Sequence, residues 1–293
     1  VFYLHGSIVT RYGCASLNHG QQRGNISPVQ KCPWFNDIHS TVNADALRWS
    51  MRYFLQLEGY NYNRKWNPET FNYEWQDKIF NPEIYIDDDI FGYARFESGK
   101  QEESDNTVSR RGALGVTRAI SLTPFTGTIT FNATAGRNKG KDSLHGLEYH
   151  NTRYQYNFSV NANDLKDSSR IFPLMDAIMN IPQVGGNSNV FSYDFSPSSM
   201  ILRWTNKIAP NIYYAFEPSP NSSQEVYLTN DVIDEIELHN LSNEFWIGGS
   251  IAKSFSSQTQ AHIIPSRSEL FEQLKEVIAE DLDLQISPPS VVS

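Results

Sequence analysis

Arg11, Arg23 and Lys31 punctuate a segment that also holds glycines at 13, 20 and 24 and the side chains of Asn18, His19 and Asn25. Glycine lets backbone amides come close to a ligand, amide and imidazole groups donate and accept hydrogen bonds, and the cations attract negative charge. That combination suits a sugar-phosphate chain, although the same glycines and asparagines also make ordinary turns. Arg48 and Arg52 follow one turn apart on a predicted helix, where they can reach the same phosphate or carboxylate; Arg48 can equally pair with Asp45. Further along, Arg110 and Arg111 precede Arg118 in a predicted strand, and Arg137, Lys139 and Lys141 fall in a glycine-broken basic stretch. Gly185, Gly186 and Asn187 offer either backbone contacts to a ligand or a plain helix end.

The setting of these cations is unusual. The 293 residues carry a net charge of -9, which argues against general affinity for polyanions. Residues 1–141 hold 16 Lys/Arg against 14 Asp/Glu, whereas residues 142–293 hold 8 against 19, so a polyanion is expected to engage the first half. Cys14 and Cys32 are the only cysteines and read as free thiols of a reducing compartment, with the cytoplasm as the expected location. The apolar runs are too short for a bilayer span, so no membrane partner is expected. Two groups invite a metal reading. Asp87, Asp88 and Asp89 lack calcium-loop spacing and read as a solvated or subunit-contacting acidic turn on an extended segment. His145, Glu148 and His150 fit no metal-ligand spacing and read as hydrogen-bonding residues. No cofactor or metal is expected.

These residues must be positioned by a small set of elements. Residues 2–10 read as a strand, and a helix begins with Asn43 as N-cap and ends near Gly59, burying Leu47, Met51, Phe54 and Leu55. Residues 60–109 are aromatic and polar without a clean period and read as an insertion containing a mobile polar stretch at 98–106. Strands are predicted at 126–134 and 152–160, with the basic tip between them making a protruding arm. A helix follows at 167–181, strands at 200–204, 211–216 and 232–238, and a last helix opened by the capping box Ser266-Arg-Ser-Glu269, with a disordered tail after Leu284. Without its insertions the order is strand, helix, strand, strand, helix, strand: an α+β, ferredoxin-like pattern shared with RNA-recognition modules.

Several motifs in order resemble the CRISPR-associated backbone subunit of the Cascade surveillance complex, in its DevR-type branch of the repeat-associated mysterious protein superfamily. They are Gly6-Ser-Ile-Val-Thr-Arg11, Asn18-His-Gly with Gly24-Asn25, Thr41-Val-Asn-Ala-Asp-Ala-Leu-Arg48, Asp88-Asp-Ile-Phe-Gly-Tyr93, Arg111-Gly-Ala-Leu and His150-Asn-Thr-Arg-Tyr-Gln-Tyr. They cover about the first 190 residues, and the match is loose from Asn206 onward. The resemblance implies a ferredoxin-like palm at 1–59 and 110–205, a finger insertion at 60–109, a thumb hairpin at 125–151 and a C-terminal part, 206–293, completing the palm. It implies a non-catalytic subunit that oligomerises along a guide RNA and presents it to target DNA. The partners are then the guide, the target, neighbouring copies and other Cascade subunits.

Carried over residue by residue, the guide contacts are Arg11, Asn18, His19, Arg23, Gly24, Asn25, Lys31, Arg48, Arg52, Arg110, Arg111, Arg118, Arg137, Lys139, Lys141, Gly185, Gly186 and Asn187. Phe125, Tyr154 or Tyr156 would stack on displaced or flanking bases. Two alternatives stay open. Relatives in other CRISPR effectors cut RNA with an aspartate in the loop that here holds Asp37 and His39, and the acidic second half also suits a protein-only scaffold.

Overall fold

The structure, a computed structural model, describes residues 1–95, 108–133, 144–185, 193–220, 222, 225–238, 242–255 and 259–286. The 98–106 stretch and the basic tip lie outside them, as does the end of the tail. The architecture is mixed α/β, with one large sheet and few helices. The sheet runs in the order His262–Ile264, Phe245–Gly249, Pro197–Thr205, Tyr3–Thr10, Tyr154–Asn161, Ala119–Ser121, Asp37–Val42, Lys31–Trp34. Neighbours are antiparallel except the first pair, which is parallel.

The first strand sits at the centre because its residues suit burial on both faces. Leu4 and Ile8 project to one side and Val9 to the other. On the first side lie the helices Ala44–Leu57, Ile171–Met179 and Arg267–Leu282, which bury Leu47, Met51 and Leu55, then Leu174 and Ile178, then Leu270, Leu274 and Ile278. Gly6 faces the Phe158 ring so closely that a Cβ would come within 2.1 Å of it, so this crossing of strands admits no side chain. The last helix starts at Ser266, whose hydroxyl accepts from the Glu269 amide at 3.4 Å, as its capping box predicts. Asn43 occupies the N-cap position of the first helix in extended conformation, but its side chain makes no capping bond.

The opposite face is covered by residues 212–220 and 225–236, with Ile212, Phe216, Val232 and Ile236 packed on Ile201, Phe245 and Ile247. Here the sequence reading is corrected. Residues 232–238 belong to a helix, Asn230–Leu238, because Val232 and Ile236, four apart, form one buried stripe. Of 211–216, only Phe216 enters a strand, Phe216–Pro218.

Residues 60–109 contribute a hairpin, Arg64–Asn67 with Asn72–Trp75, a short helix, Ile86–Ile90, and a strand Gly92–Arg95 paired with Val108–Arg111. The aspartates at 87–89 are neither extended nor solvated. They lie in that short helix and are buried, since each has its own donors. Asp87 accepts from the amides of Asn63 and Arg64 at 2.8 and 3.0 Å, and Asp88 from the Asn63 side chain at 3.0 Å. Asp89 accepts from Arg110 and Arg170, both at 2.7 Å, and from the amides of Lys166 and Asp167.

Burial and the Asp87 charge push the Asp88 carboxyl up to about 6, against the opposing bond from Asn63. The stability this group supports is present below about pH 4 and lost as pH rises through 6. Asp88→Asn keeps an acceptor for Asn63 and removes the buried charge. It should raise stability at pH 7 by about 1–3 kcal/mol and change it little at pH 4, as read by urea unfolding at the two pH values.

Candidate nucleic-acid interface

The segment after the first strand does not hang free. Gly13–Ala15 pairs antiparallel with residues 150–152 of the strand Leu144–Thr152, and Ile26–Ser27 pairs parallel with Gly146 and Leu147 of the same strand. That strand forms a hairpin with Thr128–Ala133. The arm expected between 126–134 and 152–160 is therefore built from 128–133 and 144–152, while Tyr154–Asn161 belongs to the large sheet.

Glu148 anchors the arrangement. Its carboxylate accepts from the Val29 amide at 2.9 Å and the Lys31 ammonium at 2.5 Å, and its carbonyl from the Ser16 hydroxyl at 2.8 Å. The Ser16 hydroxyl is also hydrogen-bonded to His19 Nε2 at 3.0 Å. Burial pushes the His19 pKa down, with Glu148 opposing. Lys31 lies 4.3 Å from the Phe125 ring centroid, and Phe125 meets His150 edge-on. Buried between Ser40 and Thr123, His150 is pushed down to about 4 by desolvation, which keeps it neutral near pH 7 and makes it a hydrogen-bonding group rather than a cation.

The segment is also tied to the end of the second major helix. Asn18 adopts φ 51°, its amide donates to the Gly185 carbonyl at 2.8 Å, and its side chain donates to Thr41 at 3.3 Å. Gly185 itself has φ 69°, and a Cβ there would come within 3.0 Å of the Asn18 nitrogen, so glycine is required twice over. Asn18, His19, Lys31 and Gly185 are thus brought together, and Arg23, Gly24 and Asn25 form the exposed turn beyond them.

Among the remaining predicted contacts, Arg11, Arg111 and Arg118 are exposed. Arg118 lies in a two-residue break between Leu114–Val116 and Ala119–Ser121, where Thr117 accepts from the Asn157 amide at 2.9 Å. Arg110 instead reaches inward to Asp89 and to the Asp164 carbonyl. Arg48 donates to the Phe91 carbonyl at 2.8 Å, and Arg52 lies 4.6 Å from the Phe91 ring centroid. The charges that perturb Arg48 are those of Arg52, Asp45 and Arg64, none of them in the 11–31 segment. Arg137, Lys139, Lys141, Gly186 and Asn187 lie outside the described residues.

Tyr154 and Tyr156 cannot stack on bases. Their rings are buried at 1% and 0% exposure, because that strand is covered on both faces. Arg153 was missed by sequence reasoning although it lies within the His150 motif. It donates to the Thr10 carbonyl at 3.0 Å, fixing the end of the first strand where Arg11 begins.

No family model matches the chain. A curated protein of Myxococcus xanthus (strain DK1622), CRISPR-associated protein Cas7/Cst2/DevR, is 36% identical over 232 residues, spanning 74% of this chain and 76% of that protein. This chain belongs to the Cas7/Cst2/DevR family. Two solved structures share the family member's fold at 10% identity each: a CRISPR RNA-guided surveillance complex, pre-nicking, with TM-score 0.57 over 94% of this chain and 99% of that one, and a CRISPR RNA-guided surveillance complex with TM-score 0.54 over 95% and 100%. In this Cas7/Cst2/DevR chain, the motif residues Gly6, Asn18, Asp89 and Arg153 all hold the arm, the first strand and the finger segment in register, which explains their types without appeal to a ligand.

Proposed function

We propose that this protein is a non-catalytic guide-RNA-binding subunit that oligomerises along the guide as the backbone of a cytoplasmic CRISPR surveillance complex and presents it to target DNA. What carries the reading is the anchored 11–31 segment: a turn with Arg23 and Asn25 exposed, backed by the Glu148 anchor, with Arg11 exposed at its start and Arg118 exposed between two strands of the large sheet. Phosphate and ribose contacts of this kind fix a strand's path without reading its letters, which is what a subunit serving any guide requires.

A ferredoxin-like palm is part of the same proposal. In its favour, four central strands run Pro197–Thr205, Tyr3–Thr10, Tyr154–Asn161, Ala119–Ser121, mutually antiparallel, with the helices Ala44–Leu57 and Ile171–Met179 on one face. The 60–109 segment acts as fingers and the hairpin around 128–152 as a thumb spacing the guide, its cations at 137, 139 and 141. Open head-to-tail contacts between copies suit a linear template. The non-catalytic reading is favoured by the surroundings of Asp37. Its cleft sets the polar His39, Ser121, Gln155, Glu217 and Thr229 among the apolar walls of Trp34, Phe35, Leu122, Pro124, Tyr214, Phe216 and Pro218, and with His39 Nδ1 already engaged by the Ser121 carbonyl at 2.6 Å the cleft suits a packing contact better than a hydrated metal.

Sequencing the RNA that copurifies with the expressed complex tests the reading. Repeat-spacer transcripts are expected, and a nucleic-acid-free complex or random RNA would count against it.

A further inference from the structure

The first helix presents a second basic surface, on the side that meets the finger hairpin. Its residues Arg48, Trp49, Arg52, Tyr53 and Gln56 face the finger hairpin Arg64–Asn67/Asn72–Trp75. Gln56 fixes that contact by accepting from the Trp66 amide at 2.7 Å and donating to the Trp66 carbonyl at 2.8 Å. Aromatic rings then run across the junction. Trp49 stacks on Tyr53 at 5.3 Å, meets Trp66 edge-on at 5.5 Å, and Trp66 meets Tyr73 at 5.2 Å. The Arg64 guanidinium lies 4.5 Å from the Trp75 centroid and 5.6 Å from that of Tyr73.

Three guanidiniums share this surface without a direct ion pair. Among the described residues none of Arg48, Arg52 and Arg64 forms an ion pair with a carboxylate, and Arg48 Nε is buried with no acceptor. Burial, then the charge of Arg52, lowers the pKa of both Arg48 and Arg64. Asp45 and Asp87 act on Arg48 and Arg64 from nearby, Asp87 accepting from the Arg64 amide at 3.0 Å, but neither closes an ion pair with a guanidinium, which leaves room for an anion from outside. The interleaved rings narrow the class. Trp75 is 40% exposed, and Arg64 and Tyr73 are half-buried, so cations and a ring face are offered together. Phosphates match the cations, and the flat faces of unpaired bases match the rings; in a duplex those faces are covered.

We propose that Arg48, Arg52 and Arg64, with Tyr73 and Trp75, form a binding site for single-stranded nucleic acid other than the guide. It rests on the proposed function only in taking the guide as the strand bound elsewhere. Phosphates sit among the guanidiniums and a base lies against Trp75.

The test is an anisotropy titration of the purified complex with a labelled oligothymidylate, with tryptophan emission read alongside and copurified guide measured separately. The expected result is saturable binding with quenched emission, weakened about tenfold by Trp75→Ala and by Arg64→Gln, with guide content unchanged. Using Arg64→Gln as well as Trp75→Ala guards against loss of the hairpin, because the glutamine leaves all the rings in place. Wild-type affinity in Arg64→Gln, or binding without quenching, would overturn the site. Parallel loss of guide in both folded variants would overturn its separateness from the guide path. The titration is read whether or not guide copurifies, so failure of the guide-binding reading is seen independently.

Discussion

Asp89→Ala is expected to lower folding stability by about 3–5 kcal/mol, the largest single-residue effect among the described polar groups. Asp89 is fully buried, and its two oxygens collect Arg110 and Arg170 at 2.7 Å together with the amides of Lys166 and Asp167. Arg170 also donates to the carbonyls of Pro82 and Glu83, and Arg110 to that of Asp164. One carboxylate therefore joins the finger segment, the strand ending at Arg111, and the start of the helix Ile171–Met179. Removing it leaves two guanidiniums, one of them nearly buried, with carbonyl acceptors but without their close carboxylate, and two amides without an acceptor, and a buried charge that loses its counter-ion is far costlier than a broken surface pair. Asp89→Asn retains one acceptor oxygen and should lose less. Urea unfolding at pH 7 reads both; a loss below about 1 kcal/mol for Asp89→Ala would mean that the finger segment is held by other interactions.

The same carboxylate shows where sequence reading stopped. Local periodicity revealed the first helix, because Leu47, Met51 and Leu55 repeat every four residues, and the last helix, because Ser266 and Glu269 form a cap within one turn. It misplaced residues 232–238, where β-branched Val232 and Ile233 outweighed a helical stripe only two buried residues long. Three consecutive aspartates looked solvated because the cations that bury Asp89 come from 21 and 81 residues away. In the candidate site, the types of Arg11, Asn18 and Arg23 were legible, but the anchoring by Glu148 was not, since Val29 and Lys31 find it 119 and 117 residues later. Arg64 escaped notice for the same reason, lying in an insertion with no period while its partners are on the first helix.

That division also separates cations that can meet a guide from those already committed. Lys31 is bound to Glu148 and Arg110 to Asp89, so changing either disturbs the scaffold and says little about RNA. Arg11, Arg23 and Arg118 are exposed, and among the described residues none forms an ion pair. Reversing all three to Glu is therefore expected to remove at least nine-tenths of the copurified guide while leaving the urea midpoint within about 0.5 kcal/mol of the wild type, as surface changes usually do. A gentler set, the same three to Gln, gives the quantitative version. With about four phosphates neutralised per protomer, log affinity for single-stranded RNA should fall against log salt with a slope near -3, and each phosphate left without its arginine should make that slope shallower by about 0.7. Full guide retention in the folded Glu variant, or an unchanged slope in the Gln variant, would take the anchored segment out of the RNA path. The outward face of that turn would then be left to protein–protein packing between neighbouring subunits.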